Sequence, residues 1–503
     1  MLPLLCFLAA LAASFLPDVL ALPRPRAPWR RPAAALAIHA TAAVVSFSLT
    51  LMASGRPAFA GLVAFALAAL MTIVNNAKFA SLREPFVFSD LSLFGQLFRH
   101  PRLYLPFLSL VQVLAIVLGA ALFVGAFLAA PRLEAVPYSM LAALVGSALA
   151  LAALLAARLP LTLVPGEDQL RHGFIAIFVV YLLNGLRPRT ARGLRAALMA
   201  GPFSRAAAPA LRPDVIVIQS ESFFDARRLD AGVNPVILAN FDAACGAACQ
   251  SGELRVPAWG ANTMRTEFAL LSGLPETELG YARFYPYAFI RRPCASLAGW
   301  FRHAAYRTSA IHPYFADFFG RDRVLPLMHF ERFMDIRHFD GAQRAGPYVA
   351  DAAVADAIIA ELETAGDKPA FVMAMTMENH GPLHLEWVEP GEGAGYHAMG
   401  DGAPWDDLTA YLRHLANADA MIGRLTDYLS SRQRKAVLCF YGDHVPALPK
   451  VYGNLGTMQT RSDYFIWRNY GDAPTLRKEL DVAGLGRDLL DAIGQPVQTG
   501  VPS

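Results

Sequence analysis

Apolar residues fall into two regimes along this 503-residue chain. Up to about residue 187 they run almost unbroken, in stretches at about 1–22, 34–54, 57–76, 104–130 and 138–157. Each comes close to the roughly 20 apolar residues a helix needs to cross a bilayer. A shorter run, Phe174 to Leu186, is either a sixth span or an interfacial segment. A Pro/Ala/Arg-rich linker follows at 188–213, and after it the pattern changes. Short apolar runs at 214–219, 307–311, 370–376 and 436–441 read as strands, and helical spacing covers 295–305, 349–364 and 408–431. Alternation on this scale predicts an α/β domain with a largely parallel central sheet. The expected organisation is a polytopic α-helical membrane domain of five or six spans (1–187), a linker (188–213) and an α/β domain (214–503).

Composition supports the first part of this picture. The chain is 55% hydrophobic and 17% charged, against about 25% charged in ordinary soluble domains. Its net charge of +3 implies no nucleic-acid partner. The arginines cluster beside the apolar stretches, where membrane orientation accounts for them. Arg24, Arg26, Arg30 and Arg31 in one loop, and Lys78, Arg83, Arg99 and Arg102 in another, belong on the cytoplasmic side. The run Arg187, Arg189, Arg192 and Arg195 pulls the other way for the domain that follows, so the charge rule leaves that domain's side open. The first stretch lacks a basic leader and is followed by further spans, which reads as an anchor rather than a signal peptide. The five cysteines, Cys6, Cys245, Cys249, Cys294 and Cys439, form neither a disulfide scaffold nor a zinc motif. Cys245 and Cys249 could close a small loop in an oxidising compartment.

The polar residues that matter sit just past the strand-like runs: Glu221, His312, Glu378-Asn379-His380 and Asp443-His444. In parallel sheets, ligands gather beyond the carboxyl ends of the strands. Thr263 follows a Gly-containing turn, Trp259-Gly260-Ala261-Asn262, and precedes a helical pattern that starts at Glu267. Glu221, Asp443, His444 and a Thr hydroxyl suit one divalent cation such as Mn²⁺, Mg²⁺ or Zn²⁺. Coordination would activate the hydroxyl as a nucleophile, and the same charge would stabilise a phosphoryl group under attack. His380 could bond the substrate or protonate a leaving group, and Arg321 could hold a phosphate by paired bonds. Each residue also has an ordinary reading. Glu221 could be a helix N-terminal acid, Asp443 a turn residue after Gly442, and Thr263 a helix cap. His380 could shape the loop at Gly381-Pro382, and Arg321 could belong to a solvated charge cluster. Their shared place at strand ends favours a site. His303, His329, His338, His384 and His414 have no such context and read as surface or structural.

Five ordered blocks carry a resemblance. They are Ser220-Glu221-Ser222-Phe223, Asn262-Thr263-Met264-Arg265-Thr266-Glu267-Phe268, His312 through Asp322, Met377-Glu378-Asn379-His380-Gly381-Pro382, and Tyr441-Gly442-Asp443-His444. With the multi-span region ahead of them, they resemble the lipoteichoic acid synthase and phosphoglycerol transferase family of the alkaline-phosphatase/sulfatase superfamily. The resemblance implies a sulfatase-like domain on the extracytoplasmic side of a bacterial cytoplasmic membrane. It implies that Glu221, Thr263, Asp443 and His444 bind one cation, usually Mn²⁺, that Thr263 is the nucleophile, and that His380, His312, Phe319 and Arg321 contact the phosphoglycerol group. The implied reaction moves phosphoglycerol from phosphatidylglycerol through a covalent Thr intermediate to a cell-envelope glycan or polyglycerolphosphate acceptor. The alternatives are a phosphoethanolamine transferase using phosphatidylethanolamine, which usually carries several disulfides, and a catalytically inactive membrane scaffold. An arylsulfatase needs Cys or Ser in place of Thr263, followed by Pro and Arg where this chain has Arg265 and Glu267.

Overall fold

The computed structural model describes residues 1–91, 110–205, 209, 211–471 and 475–494. Its contacts divide the chain into two units, Met1–Thr190 and Ala191–Ser503.

In the first unit, four helices among the described residues are long and apolar enough to cross a membrane: Leu2–Val19, Ala33–Ser54, Pro57–Leu82 and Tyr138–Ala156. A helix over Leu110–Ala129 falls in the stretch expected at 104–130, whose first residues lie outside the described ones, as do Arg99 and Arg102. The Phe174–Gly185 helix has 12 residues, about 18 Å of rise, which is short of the ~30 Å hydrocarbon core. It is buried along most of its length within its own unit. Helices here approach closely over small residues. Ala10, Ala60 and Ala64 pack with Phe47, Leu51 and Leu141, and a Cβ on Gly61 would stand 3.1 Å from the Cys6 carbonyl. Two of the cations counted for orientation have partners inside the unit. Arg31 is buried and paired with Asp18, and Lys78 bonds Asp90 at 2.7 Å.

A helix over Pro188–Ala200, which contains the boundary between the units, occupies the first part of the stretch read as linker. Among the described residues of the second unit, eleven strands follow. They are β1 (Asp214–Ser220), β2 (Gln250–Arg255), β3 (Arg307–Ile311), β4 (Arg332–Met334), β5 (Arg344–Ala345), β6 (Tyr348–Val349), β7 (Ala370–Met375), β8 (Ala436–Gly442), β9 (Arg461–Arg468), β10 (Leu476–Arg477) and β11 (Leu480–Asp481). Nine form one sheet in the order β10-β2-β9-β8-β1-β7-β3-β4, with β11 also on β2, and β5–β6 is a separate hairpin. From β8 to β4 the sheet is parallel. β9 is antiparallel to both β8 and β2.

Every residue of β1, β7 and β8 is buried, as expected where helices cover both faces of a parallel sheet. On one face, Ile216, Ile218, Val372, Leu438 and Phe440 pack against the long helix Asp406–Ser431 through Leu408, Leu412, Leu415, Ile422 and Leu425. That stripe, with steps of three, four and seven residues, is why the helix forms there. Each such side chain contributes roughly 1.5–3 kcal/mol on burial. On the other face, Phe301 stacks on Phe371 at 4.4 Å. All five cysteines are free. Cys245 and Cys249 close no loop, and the Cys249 thiol instead donates to the Ile466 carbonyl at 3.1 Å.

Candidate active site

The register of the two central strands brings the first acids together. Ser220 of β1 pairs with Gly442 of β8, so Glu221 and Asp443 leave the sheet side by side. The approach is tight enough that a Cβ on Gly442 would stand 1.8 Å from the Phe223 carbonyl. Ser222, at φ 55°, turns the chain back over the strand ends. Its N–H donates to Asp443 Oδ1 (2.8 Å) and its hydroxyl to Glu221 Oε1 (2.9 Å). The His444 N–H also donates to Asp443 Oδ1, at 2.7 Å. The Glu221 N–H is held by the Thr376 hydroxyl at 3.0 Å, just beyond the end of β7.

These bonds leave Glu221 Oε2 and Asp443 Oδ2 buried with no hydrogen-bond partner. His444 completes the group. Its Nδ1 lies 3.0 Å from the Val445 carbonyl, which assigns the ring proton there and leaves Nε2 as an open lone pair. That Nε2 is 3.4 Å from Asp443 Oδ2 and 3.6 Å from Glu221 Oε1. One ligand atom from each of the three residues lies within 4.8 Å of the others. Burial, and then the neighbouring Asp443 carboxylate, push the Glu221 carboxyl up to about 8. Two carboxylates aimed into one dry place need a compensating charge. A divalent cation fits the donor set and the two orphaned oxygens. Glu221 is not at a helix N-terminus, so its reading as a dipole acid does not apply.

Thr263 is the first residue of the helix Thr263–Ser272. The N-cap is Asn262, at φ 67° and with no side-chain cap bond, so Thr263 does not cap the helix. The Thr263 hydroxyl has no hydrogen-bond partner among the described residues and is half-buried. The turn before it and the helix after it are both fastened to the end of β8. Gly260 N–H donates to the Val445 carbonyl (3.1 Å), and the Thr266 hydroxyl donates to the Asp443 carbonyl (2.8 Å). The hydroxyl thus stands at a helix N-terminus, where free N–H groups and the helix dipole favour an anion.

A second buried group lies around Arg321. Its Nε and Nη2 donate to Glu267 Oε2 at 3.0 and 2.7 Å, and both side chains are essentially inaccessible. The fork expected to grip a phosphate is therefore turned to Glu267, one helical turn from Thr263. Nη1 donates to His312 Nε2 at 3.0 Å, while His312 Nδ1 lies 3.2 Å from the Met375 carbonyl. Burial and then Arg321 hold the His312 pKa well below its usual value, so His312 is neutral. Tyr287 donates its hydroxyl to Glu267 Oε1 at 2.5 Å. Phe319, at φ 57°, places its ring 5.3 Å from the Arg321 guanidinium.

His380 is half-buried beyond β7. Its Nδ1 lies 2.7 Å from the Gly381 carbonyl and 3.2 Å from Tyr348 Oη. Burial lowers its pKa, opposed by the Gly381 carbonyl and Asp443. In this state His380 is a neutral imidazole with Nε2 open. Glu378, two residues earlier, points elsewhere. It accepts from the Asp351 N–H at 2.7 Å and is 2.9 Å from His414 Nδ1. His414 is buried, and its Nε2 is 2.8 Å from Glu386 Oε2. Burial works against its charge, but these two carboxylates carry its pKa up to about 9.

Ser222, Thr376, Glu267, Tyr287 and Tyr348 were not singled out from the sequence. Glu267 had a usable signal, an acid inside an apolar helical face one turn after Thr263. The others depend on contacts between residues far apart in the chain.

The Sulfatase family model matches residues 213–494. The capsular polysaccharide biosynthesis protein RkpI of Rhizobium meliloti (strain 1021) is 30% identical over 442 residues, 82% of this chain and 78% of that protein. A second protein of that strain, described as acting in cyclic beta-1,2-glucan modification, is 30% identical over 250 residues, 49% of this chain and 38% of its own length. Among solved structures, the Streptococcus pyogenes phosphoglycerol transferase GacH with sn-glycerol-1-phosphate gives a TM-score of 0.49 at 20% identity, covering 60% of this chain and 80% of that one.

Proposed function

The chain belongs to the sulfatase family, and from that premise we propose that it is a membrane-bound phosphoglycerol transferase. The proposed donor is phosphatidylglycerol and the proposed acceptor a cell-envelope glycan. The observation that carries this reading is the pair of orphaned, buried oxygens, Glu221 Oε2 and Asp443 Oδ2, facing His444 Nε2 beside a helix that begins with an unbonded Thr hydroxyl.

Glu221, Asp443, His444 and Thr263 would hold one divalent cation, with Mn²⁺ the proposed ion. Such a cation, when bound, would favour the alkoxide of Thr263 and neutralise charge on a phosphoryl oxygen. The chain's own groups supply the rest. Ser222 and Thr376 hold the ligands in place. Thr263 gives its proton to solvent and attacks phosphorus, the bond from phosphorus to the diacylglycerol oxygen breaks, that oxygen takes up a proton from solvent as diacylglycerol leaves, and phosphoglyceryl-Thr263 remains. The helix N-terminus at Thr263 faces the phosphoryl oxygens with free N–H groups. A neutral His380 with an open Nε2 suits the second step, taking the proton of the acceptor hydroxyl as that oxygen displaces Thr263. In this reading the buried His312, Phe319 and Arg321 form the support behind the phosphoglycerol group rather than gripping it, with Arg321 held by Glu267 and His312 by Arg321. A glycan acceptor accords with the relative whose name refers to capsular polysaccharide. The apolar N-terminal helices suit a donor that resides in a bilayer, with the α/β domain on its extracytoplasmic side.

The test uses the full-length protein in detergent with Mn²⁺ and headgroup-labelled phosphatidylglycerol or phosphatidylethanolamine. Acid quench and peptide mass spectrometry then read the mass increment on the Thr263 peptide. The expected adduct is phosphoglycerol, from phosphatidylglycerol alone. A phosphoethanolamine adduct would overturn the donor, and no adduct from either lipid with metal bound would overturn the transferase reading.

A further inference from the structure

A groove of about 550 Å³ opens in the α/β unit, between the β5–β6 hairpin, the loop after His380 and the helix Asp406–Ser431. Its walls include Gly346, Pro347, Leu385, Trp387, Arg413 and Asn417. The volume lies within the ~300–1,000 Å³ range of small-molecule sites. None of these residues was used in the catalytic reading above.

Three features narrow the occupant. Trp387 is 73% exposed and Leu385 58%, so a large indole face is presented to solvent at the rim. The groove floor is rigid. His414 is bonded at both ring nitrogens, to Glu378 and Glu386, and Asn417 donates to Glu378 Oε1 at 2.5 Å. Arg413 donates to Glu386 (2.8 Å), to Glu392 (2.7 Å) and to the Trp387 carbonyl (3.2 Å), which anchors the tryptophan's backbone. Both lining cations are already held by carboxylates, Arg413 by Glu386 and Glu392 and His414 by Glu378 and Glu386. An anion gains little there, and a lipid tail would desolvate both charges without replacing their bonds. A neutral ring with one apolar C–H face and a rim of hydroxyls matches an indole beside a carboxylate, an amide and a guanidinium.

The groove and the candidate active site are built on the same two chain segments. Loop 378–387 carries both His380 and Trp387. The hairpin supplies both the Gly346–Pro347 wall and Tyr348, whose Oη is 3.2 Å from His380 Nδ1. We propose that this groove is a subsite for a neutral hexopyranose unit of the acceptor, placing a neighbouring hydroxyl beside His380. The inference rests on the transferase reading for its role, but its binding can be tested separately.

Full-length protein in detergent would be titrated calorimetrically with a short β-1,2-linked gluco-oligosaccharide and, separately, with sn-glycerol-1-phosphate. The oligosaccharide is expected to bind, with affinity reduced about tenfold or more in Trp387→Ala and largely kept in Trp387→Phe, which retains a ring. Equal metal content and melting temperature would verify that the exposed substitution leaves the fold intact. Absence of oligosaccharide binding would overturn the proposal, and so would equal affinity in Trp387→Ala. Trp387-dependent binding of glycerol phosphate instead would overturn the sugar assignment. Phosphoglyceryl-Thr263 formation in the unaltered protein is read apart from these titrations. Its failure with sugar binding intact would sink the transfer reading and leave the sugar site standing.

Discussion

Glu221→Gln should remove function and, in metal-free protein at alkaline pH, raise stability. The Glu221 carboxyl is pushed from 4.5 to about 8 in the fold, first by burial and then by Asp443. Between those values the native state holds a proton that the unfolded state has released, so stability falls as pH rises. With about 1.4 kcal/mol per pKa unit, the loss is about 2 kcal/mol by pH 6 and approaches about 5 kcal/mol by pH 8.5. Gln carries no charge, keeps an acceptor for the Ser222 hydroxyl, and can donate to Asp443 Oδ2. For a domain of this size, roughly 2 °C of melting temperature corresponds to 1 kcal/mol. Chelator-stripped Glu221→Gln should therefore melt several degrees above the stripped parent at pH 8.5, with the gap closing towards pH 5. Saturating Mn²⁺ should reverse the order, because only the parent keeps both anionic ligands. The assay is a melting series over pH in detergent, with and without metal, read as the difference between the two proteins so that other titrating groups cancel. A variant less stable than the parent at every pH, or a difference that does not change with pH, would refute the reading of Glu221 as a strained acid awaiting a cation.

Other perturbations separate the remaining roles. Thr263→Ala should abolish turnover and leave the melting temperature nearly unchanged, since the hydroxyl has no bond to lose, and retained turnover in a purified sample would remove Thr263 as nucleophile. Arg321→Met should cost about 3–5 kcal/mol by leaving Glu267 buried and unpaired, whereas the double variant Arg321→Met/Glu267→Leu should recover most of it; a double variant no more stable than the single would show that the pair is not the source. Gly442→Ala must displace the Phe223 carbonyl, so a loss of about 3 kcal/mol or more is expected, together with lost metal in elemental analysis. Asp443→Asn removes one anionic ligand and the repulsion with Glu221, and should lower bound metal while flattening the same pH dependence.

Much of the second unit was legible because fully buried parallel strands write themselves as unbroken apolar runs. Asp214–Ser220, Arg307–Ile311, Ala370–Met375 and Ala436–Gly442 all stand within a residue or so of where the runs predicted them. β2 and β9 were not anticipated. Gln250–Arg255 and Arg461–Arg468 mix charged and apolar residues, and their pairing joins segments some 200 residues apart. His414 is structural, one of the two readings the sequence left for it, but its partners were not legible for a related reason. Its place in a helix offers no local sign that Glu378 and Glu386 meet it from another loop.

What the sequence determined alone was the division into apolar helices and an α/β domain, and the chemistry available at each strand end, because periodicity and residue type are local properties. It also carried the ordered blocks that mark the family. Only the tertiary structure decided which of those groups face one another. The Ser220–Gly442 register sets Glu221 beside Asp443, two ties to the end of β8 hold the Thr263 turn against them, and Glu267 turns the Arg321 fork inward. Each of these rests on partners brought together by sheet order and burial, where a carboxylate must find a proton, a cation or a guanidinium, and no stretch of chain specifies which by itself.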